Sequence, residues 1–230
     1  MKLENKKILI LSGPTHEYFD PVRFIGNASS GKMGKALAEE AIARGMDVDF
    51  ISGPVPDANL PKRRSCADQT PARPEAGSLF HSTDSLIITQ ITSAEEMLAA
   101  AQTKFATADL IIFAAAVADF QPLGKSDEKV PKLETNLTVE LKPTPDIAAT
   151  LCANKRPNQI AIGFALQTHD GEAKAKEKLT KKNLDGIVLN TPATLGAETG
   201  LFTWISSNNI DVWGALDKTT CAKEIFNQFL

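Results

Sequence analysis

The chain has 230 residues, of which 43% are hydrophobic and 23% charged, and its formal net charge of −3 argues against nucleic acid as a partner. No apolar run approaches the roughly 20 residues of a membrane span, and the run after the basic N-terminal residues is too short for a signal peptide. The three cysteines lack a metal or disulfide spacing, so we expect a reduced, cytoplasmic protein. Because no apolar run is long enough, we also expect no membrane partner.

The first half of the chain predicts alternating strands and helices. Lys7–Ser12 predicts a buried strand ended by Gly13-Pro14, and Lys32–Arg44 predicts a helix with one apolar face. The pattern continues with a strand at Val48–Ser52, a strand at Leu86–Ile91, a helix from a capping box at Ser93–Glu96 to about Phe105, and a strand at Asp109–Ala116.

The second half continues the alternation. Thr144 and Pro145 predict the cap and first turn of a helix. After it we predict a strand at Ile160–Phe164, a helix at Glu172–Lys182, a strand at Gly186–Asn190, a hairpin of Leu201–Ile205 and Ile210–Trp213, and a helix at Lys218–Phe229. Strands that alternate with helices predict an α/β fold: a parallel sheet with helices on both faces, followed by a C-terminal hairpin and helix.

Two polar segments interrupt this pattern within what we expect to be a single domain over residues 1–230. Residues 56–82 are rich in Pro, Arg, Ser and Ala and predict a surface excursion. Residues 124–136 are rich in lysine and predict a flexible loop, called the flap below.

The most informative stretch for function is Asp20–Gly34. Residues 26–32 fit G-x-x-x-x-G-K, but Met33 replaces the Ser or Thr of a phosphate loop and no strand directly precedes the motif. A P-loop nucleotidase is therefore disfavoured, and the missing G-x-G-x-x-G also disfavours a dinucleotide oxidoreductase. Ser29, Ser30 and Gly31 remain placed where free amides at a helix start can hold an anion, although a plain Ser-capped helix is the simpler alternative.

Three further polar side chains are candidates for nucleotide chemistry. Asp119 follows a predicted apolar strand, where a carboxylate can hold a magnesium–phosphate group. Lys129 and Lys132 lie in the flap, where a lysine can close over a triphosphate. A turn cap and solvated lysines explain the same residues, so the pattern alone leaves both interpretations open.

Together these strings resemble one family, the phosphopantothenate–cysteine ligases (phosphopantothenoylcysteine synthetases), in their bacterial, stand-alone form. The resemblance runs from about Lys6 to Leu230. It depends most on Asp20–Asn27 and Ser29–Gly34, and is supported by Ala115–Asp119, Thr144–Ile147, Gly163–Ala165 and Lys182–Asn190.

The resemblance implies a Rossmann-like homodimer of the coenzyme A pathway. It implies a ligase that joins 4′-phosphopantothenate and L-cysteine through an acyl-nucleotide intermediate, with Mg²⁺ and a nucleoside triphosphate. Bacterial members generally use CTP and eukaryotic members ATP, so CTP is expected here. Many relatives are fused behind a flavin-dependent decarboxylase. Because this chain begins at the ligase, we expect no flavin and a separate phosphopantothenoylcysteine decarboxylase as a possible partner.

The resemblance also implies roles for individual residues. Asn27 matches the residue that handles the intermediate, and Lys129 matches the catalytic flap lysine. Asp119 is also the expected metal ligand. The substrate positions implied are Arg23, Ser29, Ser30, Gly31, Ala115 and Ala116, and the nucleotide positions are Phe113, Ala114, Ala115, Asp119, Lys129, Ile162, Gly163, Phe164, Lys178 and Lys182.

Three positions depart from the family pattern. His16 stands where arginine is usual, Pro131 replaces a flap lysine, and Gln167 replaces a glutamate. These changes leave open a module that binds nucleotide without catalysis. An NAD(P)-binding reductase or epimerase is the other alternative, but the strand at Val48–Ser52 ends in Gly53-Pro54 and lacks an acidic ribose contact.

Overall fold

The computed structural model describes residues 5–62, 86–132, 134–166, 171–194 and 196–229. Its twelve strands and five α-helices are, in chain order, β1 (Lys7–Ser12), β2 (His16–Tyr18), β3 (Phe24–Gly26), α1 (Lys32–Ala43), β4 (Asp47–Ser52), β5 (Leu86–Gln90), α2 (Ala94–Phe105), β6 (Leu110–Phe113), β7 (Phe120–Pro122), β8 (Leu141–Pro143), α3 (Ile147–Cys152), β9 (Ile160–Leu166), α4 (Gly171–Lys181), β10 (Gly186–Asn190), β11 (Thr199–Ser206), β12 (Ile210–Asp217) and α5 (Lys218–Asn227).

Eight of the strands form one sheet in the order β12-β11-β10-β9-β6-β1-β4-β5. The six strands from β10 to β5 are parallel, and β11 and β12 are added antiparallel at one edge. The chain proceeds from β1 to β4 on one side and returns to β6 on the other, so the strand order reverses between β1 and β6. Reversal points of this kind are where open α/β sheets bind ligands.

Helices cover both faces of this sheet because side chains alternate along each buried strand. Ile8 and Ile10 of β1 pack on the face covered by α1 and α5. Leu9 and Leu11 pack on the opposite face with α2 and α3, and a neighbouring cluster under α4 extends that face. The predicted α/β fold with helices on both faces is therefore confirmed.

The C-terminal hairpin extends the sheet at its edge and contributes side chains to the first of these faces. Trp204 of β11 is 3% exposed, and its ring stacks on Trp213 of β12 with 6.0 Å between centroids. A Cβ atom on Gly186 of β10 would lie 2.0 Å from the Trp204 ring, so only glycine fits beneath the indole. The hairpin and final helix, both predicted from the sequence, thus form one packed unit with α1.

Several boundaries differ from the sequence-based expectations. The predicted strand to Ala116 ends at Phe113, and beyond it an isolated bridge joins Pro14 and Ala116. Asp146, not Thr144, caps α3 by accepting a hydrogen bond from the Ala149 amide. The pairs β2–β3 and β7–β8 were not predicted. Residues 63–82 of the expected excursion lie outside the described residues.

No helix in the described part of the chain is long and apolar enough to span a membrane.

The predicted capping box at the start of α2 is confirmed. Ser93 Oγ accepts from the Glu96 amide at 3.2 Å, and Glu96 Oε2 accepts from the Ser93 amide at 3.4 Å. We expect Ser93→Ala to lower the free energy of unfolding by about 1 kcal/mol, because an N-terminal amide of α2 loses its acceptor. Urea unfolding measures this loss, with the solvent-facing Ser207→Ala as control; equal stability of the two variants would contradict it.

Candidate active site

A cavity of about 680 Å³ lies at the carboxyl ends of four adjacent strands, β1, β6, β9 and β10. It therefore includes the point between β1 and β6 where the strand order reverses. The start of α1 forms one wall and α4 another. The predicted site residues that line it are Asn27, Ser29, Ser30, Gly31, Phe113, Ala114, Ala115, Ala116, Asp119, Gly163, Phe164, Lys178 and Lys182.

The N-terminus of α1 presents unbonded amides to this cavity. Gly31 is the N-cap with φ +74°, and no side chain caps the helix. Ser29 Oγ accepts only from the Gly31 amide, at 3.4 Å, so the simpler alternative of a Ser-capped helix is wrong. Because the first amides of a helix need an external acceptor, this end of α1 is suited to an anion.

The side chain of Asn27 is hydrogen-bonded to the segment that follows β6. Its Nδ2 donates to the carbonyl of Val117 at 2.8 Å and to that of Ala116 at 3.4 Å. The segment it contacts is itself held by Thr15, whose Oγ1 accepts from the Ala118 amide at 3.0 Å. Asn27 therefore joins the loop before α1 to the segment that leads to Asp119.

The basic side of the cavity comes from α4 and the residue after it. Lys178 and Lys182 both line the cavity, whereas Lys174, Lys176 and Lys181 are exposed. The Lys182 ammonium donates to Asp146 Oδ1 at 3.0 Å. Burial alone would raise the pKa of Asp146, but hydrogen bonds from the Ala149 amide and from Lys182 outweigh it and lower that pKa. Lys182 is thus paired in this structure.

Arg23 lies away from the cavity wall and contacts the flap instead. Its Nη2 donates to the carbonyl of Val130 at 2.6 Å, and the Val130 amide donates to Asp20 Oδ2 at 3.2 Å. Arg23 also pairs with Asp20, which is fully buried and accepts from the backbone amides of Val22 and Arg23. The hydrogen bond from the Arg23 side chain, together with those amides, holds the pKa of Asp20 well below its usual range.

The Asp20 contacts predict a pH-dependent contribution to stability. A carboxyl whose pKa is lowered by folding stabilises the protein above its unfolded pKa, about 4, and this contribution is lost as the pH falls below that value. We expect Asp20→Asn to unfold at lower urea concentration than the wild type at pH 7. The difference between the two should shrink as the pH falls below about 4. Asp211→Asn, on an exposed strand residue, is the control, and a pH-independent difference for Asp20→Asn would contradict the prediction.

Three predicted site residues are not among those that line the cavity. They are Arg23, described above, Lys129, which is exposed in the flap, and Ile162, which is fully buried within β9. Their assignments stay predictions. Gln167 lies outside the described residues.

Other residues that line the cavity were not singled out from the sequence. Asn190, Thr194 and Lys218 form one corner of it. Their only sequence signal is position, because Asn190 ends a predicted strand and Lys218 begins a predicted helix. Cys152 and Cys221 are both buried, and burial raises the pKa of their thiols to about 11 and about 12. Neither is a thiolate nucleophile at neutral pH.

Comparison with known proteins adds a family match. Residues 3–70 and 77–230 match the model of the DNA/pantothenate metabolism flavoprotein C-terminal domain. In a solved structure, the C-terminal domain of a coenzyme A biosynthesis bifunctional protein CoaBC is similar with a TM-score of 0.74 and 33% identity, over 99% of this chain and 96% of that one.

Two curated relatives carry different names. The coenzyme A biosynthesis bifunctional protein CoaBC of Bacillus subtilis is 40% identical over 205 residues, which cover 87% of this chain. A cysteine/cysteine sulfinic acid decarboxylase from an unknown prokaryotic organism is 40% identical over 233 residues, which cover 99% of this chain. The matches span 45% and 59% of those relatives, so about half of each lies outside the similarity.

Proposed function

The chain belongs to the DNA/pantothenate metabolism flavoprotein C-terminal domain family, and on this premise we propose that it is a phosphopantothenate–cysteine ligase of coenzyme A biosynthesis. The similarity to the C-terminal domain of CoaBC, over 99% of this chain, supports this assignment. The proposed substrates are 4′-phosphopantothenate, L-cysteine and a nucleoside triphosphate. CTP is favoured over ATP because the resemblance is to bacterial members.

The observation that carries the proposal is a single cavity with anion-binding groups on two walls. The uncapped start of α1 lies on one side, and Lys178 and Lys182 lie on the other. A ligase of this type must hold two anionic substrates next to each other so that one can attack the other. Placement of both reactants in one cavity lowers the entropic part of the barrier.

The proposed reaction has two steps. A carboxylate oxygen of phosphopantothenate attacks the α-phosphorus of the nucleotide, the bond to the β-phosphate oxygen breaks, and pyrophosphate leaves. The cysteine amine then attacks the acyl carbon, loses a proton as the amide forms, and displaces the nucleoside monophosphate. Neither step needs a covalent bond to the enzyme, in keeping with the buried, protonated state of Cys152 and Cys221.

Magnesium fits this site only as a companion of the nucleotide. Among the described residues no group of three His, Cys, Asp or Glu side chains could hold a metal ion. Asp119 presents one carboxylate to the cavity, which suits Mg²⁺, since that ion is commonly held by one or two carboxylates and by substrate phosphates. When bound, the ion would neutralise charge on the phosphates.

Within this proposal the residue roles are those that the family resemblance implies. Asn27 handles the intermediate, and Lys129 stabilises charge on the triphosphate from the flap. The substrate positions are Arg23, Ser29, Ser30, Gly31, Ala115 and Ala116, and the nucleotide positions are Phe113, Ala114, Ala115, Asp119, Lys129, Ile162, Gly163, Phe164, Lys178 and Lys182. Arg23 differs from the others because its observed contacts support a role in positioning the flap.

We also propose a cytoplasmic homodimer. The exposed apolar side chains of the two short strand pairs, Phe24, Phe120 and Leu141, with Leu123 beside them, offer a surface that a second copy could cover. Sedimentation tests the dimer; a fully active monomer at micromolar concentration would contradict it.

A turnover assay tests the ligase function. We expect pyrophosphate release that requires phosphopantothenate, and amide formation that also requires cysteine, each measured with CTP and then with ATP. The name of one relative suggests decarboxylation as a second candidate, so a further arm supplies cysteine or cysteine sulfinic acid without nucleotide and measures CO₂. Pyrophosphate release without phosphopantothenate, or no release at all, contradicts the proposal.

A further inference from the structure

The corner of the cavity beyond the end of β10 contains a charged group that none of the proposed roles uses. Lys218, the first residue of α5, lines the cavity although its side chain comes from the far end of the sequence. It is 9% exposed, and its Nζ donates to the backbone carbonyl of Thr194 at 3.3 Å. In the described part of the chain, no carboxylate lies within ion-pair distance of it.

This position is unfavourable for a cation in the absence of a ligand. A buried ammonium without a counter-charge loses hydration that one neutral carbonyl does not replace. The N-terminus of a helix carries a partial positive charge, so Lys218 also lies at the wrong end of α5. Burial lowers the pKa of Lys218, and the nearby Lys32 lowers it further. Glu198, which acts in the opposite direction, is bound by Lys32.

Two other polar groups in this corner lack a hydrogen-bond partner among the residues that the structure describes. Thr194 is 3% exposed, and its Oγ1 is one of these groups. The buried Asn190 Oδ1 is the other. The Thr194 side chain is tightly confined, since a Cβ on the neighbouring Gly200 would lie 2.5 Å from its Oγ1. Buried polar groups are nearly always hydrogen-bonded in folded proteins. Two such groups without partners, on residues that line a cavity, therefore indicate a polar ligand.

We propose that Lys218, with the Thr194 hydroxyl and the Asn190 amide, binds a phosphoryl group of a substrate. The ammonium and the hydroxyl donate to phosphoryl oxygens, and the amide can present its NH₂ group after rotation about its last torsion. The uncapped start of α1 lines the same cavity and adds backbone donors. This inference rests on the proposed function for the identity of the ligand, but not for its chemistry.

Two substrates of the proposed reaction carry phosphoryl groups, and binding measurements separate them. Calorimetric titration of the full chain uses three probes: CTP, 4′-phosphopantothenate and inorganic pyrophosphate. Pantothenate and cytidine are the matched ligands without phosphate. We expect Lys218→Met to weaken binding of the substrate whose phosphate occupies the corner by about 10- to 100-fold, as a lost hydrogen bond to a charged group would. Binding of the other substrate should change little.

A purely structural role for Lys218 gives a different result. If the ammonium only ties α5 to the Thr194 carbonyl, Lys218→Met lowers the Tm of the unliganded chain and leaves every affinity unchanged. If it serves a ligand, the Tm stays equal or rises, because an unpaired buried charge has been replaced by an apolar group of similar length. Lys223→Met, an exposed lysine on the same helix, is the control for both measurements.

A second variant keeps the test independent of the folding of the first. Thr194→Val removes the unpaired hydroxyl at nearly constant volume, so the unliganded Tm should not fall while binding of the same phosphorylated probe weakens. Unchanged affinities in both variants overturn the assignment of this corner and leave the ligase proposal intact. Pyrophosphate binding that depends on Lys218, without any turnover, supports the corner and contradicts the ligase. A wild-type chain that binds none of the three probes overturns both.

Discussion

Replacement of Lys129 by alanine is expected to lower kcat about 10²- to 10³-fold, the usual effect of removing one group that stabilises developing charge in a dry site. If Lys129 acts only as charge builds up on the triphosphate, kcat and kcat/KM should fall together. The flap is anchored directly beside this residue, because the Val130 amide and carbonyl are bonded to Asp20 and Arg23. The backbone at Lys129 is therefore held in place more firmly than that of the flap residues after Pro131.

Lys132→Ala is the matched control for this experiment. Lys132 is also exposed, but it follows Pro131, whose fixed φ separates it from the anchored Val130. Its removal should change stability by no more than about 0.5 kcal/mol and the rate little. Steady-state kinetics of both variants at saturating cysteine distinguish the two lysines. An impaired Lys132→Ala enzyme beside a normal Lys129→Ala enzyme would show that the flap lysine has been assigned to the wrong position.

Asn27→Asp is expected to slow formation of the final product about 10²-fold, while the acyl-nucleotide still forms and accumulates. The Asn27 amide donates to the carbonyls of Val117 and Ala116. A carboxylate in its place would put an acceptor against two acceptors, so the side chain should turn away from the position needed to hold the intermediate. In the proposed mechanism, activation of the carboxylate depends on other groups of the cavity and should be affected less.

Mass spectrometry of quenched reactions measures the accumulated intermediate directly. Asn208→Asp makes the same chemical change at an exposed turn of the hairpin and should behave as the wild type. A wild-type rate of final product in Asn27→Asp would end the proposed role. Equal loss of pyrophosphate release and of amide formation would instead place Asn27 in the first step.

The regular part of the fold was predictable because its strands and helices carry strong local patterns. Lys7–Ser12 and Gly186–Asn190 were predicted with the bounds that the structure shows, and the capping box at Ser93 marked the start of α2. The short pairs β2–β3 and β7–β8 could not be found this way. Each strand has three residues, and Phe24 and Phe120 are exposed, so no apolar alternation marks them.

The candidate site was predictable only where short motifs mark it. The residues around Ser29–Gly31 and Ala114–Asp119 were found because strand ends and a helix start have a local signature, and the structure brings them to one cavity. Lys218 has no such signature. Its proposed role is inferred from burial and from the absence of a nearby carboxylate among the described residues, and both depend on the packing of α5 against the loop after β10. Arg23 is the opposite case: the sequence predicted it at the substrate, but its observed partners are Asp20 and the flap.

The stacked indoles of the C-terminal hairpin provide an intrinsic fluorescence signal for one region of the protein. The chain has two tryptophans, Trp204 and Trp213, and both lie in the hairpin of β11 and β12, which packs against α5. Excitation at wavelengths selective for indole therefore samples the region behind Lys218 and not the flap. A ligand that orders the Lys218 corner should change the emission of these rings, whereas closure of the flap alone should leave the spectrum unaltered. Stopped-flow emission can thus time ligand binding at the Lys218 corner without an attached dye and without a contribution from the flap.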